Sequence, residues 1–168
     1  IDDLTVVAGS DRSRQESVAL GLAALSSCEG DTVVLVHDAA RPLTPPQVTE
    51  RVIDAVAGGA GAVIPVLPVT DTLKTVDAAG LVVGTPRRSD MVAVQTPQGF
   101  RWDVLIRAHE EGASLGADEA RAATDDAGLV EAIGGSVQTV AGDEHSMKVT
   151  RPLDLAFAQI LVAEETSA

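Results

Sequence analysis

Short apolar, β-branched runs alternate with amphipathic stretches along most of this chain. Thr32-Val33-Val34-Leu35-Val36 and Ala62–Leu67 are nearly unbroken apolar runs, the pattern of strands buried on both faces of a sheet. Leu4–Ala8, Val92–Gln95, Val137–Val140 and a short Lys148–Val149 read as further strands. Helical signals fall between them. Ser13-Arg14-Gln15-Glu16 fits a capping box and predicts a helix to about Leu25. Thr44-Pro45-Pro46-Gln47 fits a second, opening a helix that buries Val48, Val52, Ile53 and Val56 and stops at Gly58-Gly59. Asp103–Glu111 is a helix closed by Gly112, Thr124 caps another that Gly134-Gly135 ends, and Thr150-Arg151-Pro152 opens the last, through about Ala163. Ala113–Ala123 has no clear period.

One stretch breaks the rhythm. Thr72–Val76 and Leu81–Thr85 alternate in polarity around Asp77–Gly80, which predicts a β-hairpin. It reads either as a lid or dimer arm, or as a plain surface hairpin. The remaining alternation of strand and helix predicts one α/β domain over 1–168 with a mostly parallel, Rossmann-like sheet, from which an arm at about 70–90 protrudes.

Composition narrows the function. The net charge is -13, which argues against nonspecific nucleic-acid or membrane-surface binding. With only 12 Lys and Arg, any that converge on one cleft are informative. Aromatic residues make up 2%, so Ala, Val and Leu must fill the core. One cysteine, Cys28, excludes an internal disulfide and a cysteine-based metal site. No apolar run has transmembrane length, and the expected location is cytoplasmic. Ile1-Asp2-Asp3 is an unusual start, and the chain reads as N-terminally incomplete.

The strongest chemical signal is His37-Asp38-Ala39-Ala40-Arg41-Pro42, directly after an apolar strand. In open α/β sheets that edge is where ligands bind. Asp38 suits a divalent metal or a sugar hydroxyl, and Arg41 a bidentate grip on phosphate; the competing reading is an internal Asp38–Arg41 pair in an idle loop. His37 is read as structural. Arg14-x-x-Ser17 lies in a helical first turn, where anion binding competes with simple capping. Asp71-Thr72-x-Lys74 lies where the third strand enters the hairpin, and Arg87-Arg88 is a paired cation before a strand. Thr96-Pro97-Gln98 reads as a rigid turn, and Thr124-Asp125-Asp126 as a capped helix start. Lys148 reaches a phosphate at the sheet edge or snorkels to water. No Walker, dinucleotide, zincin or serine-hydrolase motif occurs.

In order, Arg14-Gln-Glu-Ser17-Val18, His37-Asp-Ala-Ala-Arg-Pro42, Pro68-Val-Thr-Asp-Thr72-Leu-Lys74, Arg88, Thr96-Pro-Gln98 with Phe100, Thr124-Asp-Asp126 and Lys148-Val-Thr-Arg-Pro-Leu-Asp154 resemble the 2-C-methyl-D-erythritol 4-phosphate cytidylyltransferases of non-mevalonate isoprenoid synthesis. The resemblance implies transfer of CMP from CTP to methylerythritol phosphate with release of pyrophosphate, and a divalent metal, usually magnesium. It puts Gly9, Ser17, Asp38 and Ala39 on the nucleotide side, with Asp38 also at the metal. Arg41, Thr72, Arg88, Thr96, Thr124 and Lys148 would surround the polyol phosphate, with Arg88, Lys148 and Asp38 as the catalytic set. The hairpin resembles a homodimer arm. Two departures stand out: the family's Gly-rich loop with its Arg and Lys has no counterpart in this sequence, and Ser146 stands where the family usually has Asn. Two other readings are a cytidylyltransferase for another polyol phosphate, such as ribitol 5-phosphate, and an inactive dimeric binding module.

Overall fold

A computed structural model describes residues 4–25, 28–112 and 125–167. The elements in chain order are α1 (Arg14–Ala23), β1 (Val33–Val36), α2 (Pro46–Ala57), β2 (Ala62–Pro68), β3 (Thr75–Val76), β4 (Val82–Gly84), β5 (Val92–Val94), β6 (Gln98–Arg101), α3 (Trp102–Gly112), α4 (Asp126–Ala132), β7 (Gln138–Ala141) and α5 (Pro152–Ser167).

The main sheet pairs β1 with β6, β6 and β5 with β2, and β2 with β7. β5 and β6 are two segments of one course, interrupted around Thr96-Pro97, that follows β2 from Pro68 back to Ala62. β1, β2 and β7 point the same way, as expected of a mostly parallel sheet. The β5–β6 course runs against them and sits between β1 and β2, so only β2–β7 is a parallel ladder among the described strands. β6 was not legible as a strand. Gln98-Gly99-Phe100-Arg101 has one large apolar residue and a glycine, and it reads as the tail of a turn.

Strand alternation sorts the core into two layers. Val34, Ala62 and Phe100 face Leu22 of α1, Leu105 and Ala108 of α3, and Leu129 and Val130 of α4. Val63 faces the other way, onto Val52 and Val56 of α2. Gly99 lies under α2 so closely that a Cβ there would overlap Val52 and crowd Val56. Glycine at that position is what lets helix and sheet meet.

Several local expectations change. Leu4–Ala8 forms no strand; Leu4 and Val6 are exposed. Nothing in the described sheet pairs with that run, so its apolar pattern has no ladder to join. α1 ends at Ala23, two residues early. Ser13 does cap it by accepting from Glu16 N–H, but the Glu16 carboxylate turns to Ser10 and Arg12 instead of closing the box. α2 is entered through Pro45 without a side-chain cap, and the Thr44 hydroxyl donates to Arg41 O. Ile53 is exposed, one residue off the buried Val48–Val52–Val56 stripe. Lys148–Val149 joins no ladder; Val149 N–H instead donates 2.8 Å to Ala40 O. The expected hairpin forms as β3 and β4, with Gly80 at φ 82° in its turn. Thr124 and the unassigned Ala113–Ala123 stretch lie outside the described residues.

Candidate active site

β1 delivers the chain to Asp38 at the sheet edge, and a turn closed by Arg41 N–H on Asp38 O folds Arg41 back over that carboxylate. Arg41 Nε lies 3.4 Å from Asp38 Oδ2. Its other nitrogens donate to backbone, Nη1 to Ser146 O at 2.6 Å and Nη2 to Val94 O at 3.5 Å. The Asp38–Arg41 pair of the competing reading therefore exists. The Arg41 fork, however, is engaged with carbonyls and acts as a fixed positive field more than as a bidentate clamp. Lys148 comes from the loop before α5, and its Nζ lies 3.0 Å from the same Asp38 oxygen.

Thr96 closes the floor. Its Oγ1 accepts from Asp38 N–H at 3.0 Å and meets His37 Nδ1 at 2.9 Å. His37 thus holds the loop, as its structural reading expected. Asp38, Arg41, Thr96 and Lys148 line a cleft of about 220 Å³ with Arg14, Gln98 and Asp125. Gln98 is fully buried and bridges the cleft to α4, donating to Asp125 Oδ2 and accepting from Ala127 N–H. Asp125 supplies the described α4 cap by accepting from Gly128 N–H.

Electrostatics favour an ionised Asp38. Partial burial pushes its carboxyl up, but the Lys148 hydrogen bond and charge, with Arg14 and Arg41, outweigh this and hold it below the usual 3.8. The same balance is sharper at Asp126, whose side chain is fully buried. Burial raises it; His109 and Arg14 pull it below 3.8. A carboxylate depressed in the folded state stabilises the fold above its unfolded pKa, and that contribution fades as pH falls through the folded value. Asp126→Asn should therefore flatten the loss of stability as pH falls below about 4 relative to the parent, read by urea unfolding at each pH. An unchanged slope would contradict a charged Asp126.

The structure brings together Asp38, Arg41, Thr96 and Lys148 from 110 positions of sequence. It adds Arg14, for which anion binding competed with simple capping, and Gln98 and Asp125, read as turn and helix-start residues. The pairing of a helical-first-turn cation with an Asp-Asp helix start was the available signal. Ser17 lies apart from this cleft, its hydroxyl engaged with Ser10 N–H and nearby carbonyls, and Gly9 packs against it, where a Cβ would come 3.0 Å from Ser17 Oγ. Ala39 is exposed beside Asp38. Thr72 and Arg88 do not line the cleft: both are exposed at the arm, and Arg88 donates 2.7 Å to Thr70 O. Among the described residues no group of three His, Cys, Asp or Glu gathers around a metal position, and no helix is long and apolar enough to cross a membrane.

Comparison with known proteins points one way. The protein family described as 2-C-methyl-D-erythritol 4-phosphate cytidylyltransferase matches residues 2–164. Curated proteins of that name from Rhodococcus jostii and Frankia casuarinae are 50% and 52% identical to the chain over 96% of its length. The chain spans 67% of the first and 57% of the second. Among solved structures, the Thermus thermophilus cytidylyltransferase is 39% identical with a TM-score of 0.76, covering 91% of this chain and 70% of that one. The Francisella tularensis enzyme is 28% identical with a TM-score of 0.82, covering 92% and 70%.

Proposed function

The chain belongs to the 2-C-methyl-D-erythritol 4-phosphate cytidylyltransferase family, and from that premise we propose that its cleft transfers CMP from CTP to methylerythritol phosphate, releasing pyrophosphate. The observation that carries this reading is the convergence of Arg14, Arg41 and Lys148 around Asp38 in a chain of net charge -13. Cations so scarce and so clustered suit two phosphorylated substrates.

In the reaction a phosphate oxygen of the polyol attacks the α-phosphorus of CTP. The new Pα–O bond forms as the bond to the bridging oxygen breaks, and pyrophosphate leaves with that electron pair. Two anions must approach in line, so the protein's work is positioning and charge neutralisation. Lys148 is a compact point charge at the cleft rim and suits the polyol phosphate. Arg41, tied to two carbonyls, keeps a constant field there. Thr96 anchors the Asp38 backbone that faces the nucleotide.

Magnesium or a similar cation fits Asp38 as a single hard-oxygen ligand, since such ions take one or two carboxylates with substrate phosphates and water. Bound there, the ion would supply neutralisation of triphosphate charge. Asp125 is a poor second ligand because both its oxygens already accept hydrogen bonds. CTP is a cytoplasmic nucleotide, which supports a cytoplasmic location.

A pyrophosphate-release assay with CTP and either methylerythritol phosphate or ribitol 5-phosphate tests the substrate. Turnover of the first is expected; turnover of ribitol phosphate alone would overturn it. The exposed arm supports a homodimer in which Thr72 and Arg88 serve the partner's cleft. Lys148→Ala and Arg88→Ala proteins, each impaired alone, should then recover about a quarter of parental activity when mixed, because half the dimers are hybrids with one intact site. No recovery after verified subunit exchange would put Arg88 in its own subunit's site or outside it.

A further inference from the structure

Behind the cleft, three helices each give one residue to a single ionic chain. Arg14 opens α1 and lines the cleft. One terminal nitrogen lies 2.7 Å from Asp126 Oδ2, at the start of α4. The other Asp126 oxygen lies 3.0 Å from His109 Nε2, on α3. Arg14 is one-third exposed, whereas the Asp126 and His109 side chains are 0% and 6% exposed.

This is an unusual use of core volume. Buried ion pairs add little net stability compared with apolar residues of the same shape, because desolvation offsets their attraction. His109 sharpens the point. Its Nδ1 is buried without a hydrogen-bond partner among the described residues. Among the described residues the ring's one polar engagement is with Asp126, and since a carboxylate only accepts, Nε2 carries the proton. A leucine-sized residue would satisfy the packing of α3 on α4 without an unpaired nitrogen. What the imidazole adds is a fixed direction for the Asp126 carboxylate, and what Asp126 adds is a fixed direction for Arg14. Asp125, its neighbour, is committed to the α4 cap and to Gln98, so the two acids divide the tasks.

We propose that Asp126, oriented by His109, is a positioning residue that holds the Arg14 guanidinium in the cleft as a preset cation for the phosphate of the polyol substrate. This rests on the cytidylyltransferase reading above. Preset charge costs no reorganisation when substrate arrives, whereas an untethered arginine at a helix start samples solvent rotamers.

The test is a double-mutant cycle read as a KM-against-kcat split. His109→Leu removes the Nε2 donor at similar bulk; His109→Gln keeps a donor. His109→Leu should raise KM for methylerythritol phosphate about tenfold, the coupling expected between charged side chains in direct contact, with kcat within about twofold. His109→Gln should recover most of that loss. In an Arg14→Ala background His109→Leu should add nothing. An equal KM effect with Arg14 absent, or no rescue by glutamine, overturns the proposal. If the parent protein turns over no polyol phosphate, the cytidylyltransferase reading fails instead, and side-chain 15N NMR of the Arg14 guanidinium still decides this inference. Slow rotation in the parent and in His109→Gln, lost in His109→Leu, upholds it; a signal unchanged in His109→Leu overturns it.

Discussion

Lys148→Ala should lower kcat/KM for the polyol phosphate by about 10²–10³ while the protein remains folded, the loss typical of one preorganised charge donor in a site. The two halves of that expectation have separate physical grounds. Lys148 Nζ sits 3.0 Å from Asp38 Oδ2, but its side chain is 46% exposed, so solvent screens the pair and its net worth to folding is about 0–1 kcal/mol. Asp38 also keeps Arg41. The fold therefore tolerates the change. The reaction does not, because two phosphate groups must approach in a cleft where Arg41 is already tied to Ser146 O and Val94 O. Lys148 is the cation there with freedom to follow the substrate. Steady-state pyrophosphate release beside a thermal melt checks both halves. Unchanged kcat/KM would remove Lys148 from the site; a collapsed melting temperature would make it structural.

Phe100→Ala should destabilise the protein by about 3–5 kcal/mol, the range for large-to-small changes in a packed core. Phe100 is fully buried at the centre of β6. Its ring meets the layer that joins Leu22, Leu105, Ala108, Leu129 and Val130, so one side chain ties α1, α3 and α4 to the sheet. In a chain with 2% aromatic residues the small neighbours cannot expand to fill the gap. A domain typically has about 5–15 kcal/mol in total, so the variant stands near its unfolding threshold. Urea unfolding measures the difference; a loss under about 1 kcal/mol would mean that the site collapses around alanine. Activity in the surviving folded fraction should fall as well, because Gln98, two residues away on the same strand, bridges the cleft to α4.

The elements most readable in the sequence were those whose own residues carry the signal. β1 was legible to within one residue because Val33–Val36 is apolar throughout and β-branched at all but Leu35. The α2 stripe was legible at Val48, Val52 and Val56 because a helix buried on one side repeats every three to four residues. Ile53 was misjudged because its side chain sits one position off that stripe, on the exposed face. β6 escaped because its burial is imposed by β1 and β2 on either side, not by its own composition. The opposite error occurred at Leu4–Ala8, where strand-like residues find no ladder in the described sheet.

The site divides the same way. Asp38, Arg41 and Lys148 were singled out from their own local chemistry: charged groups at a strand end or in an apolar stretch are out of place unless they act. Sequence by itself thus determined the elements whose own residues carry a period, the scarcity of cations and the identity of the residues that hold them. Tertiary structure alone decided how those cations are used. It tied the Arg41 fork to backbone carbonyls, joined Lys148 to Asp38 across 110 positions, set Asp126 between Arg14 and His109, and left Thr72 and Arg88 out on the arm. The physical reason is range. Propensity and periodicity act over a few residues, whereas a charge is tuned by whatever the fold brings within about 4 Å of it.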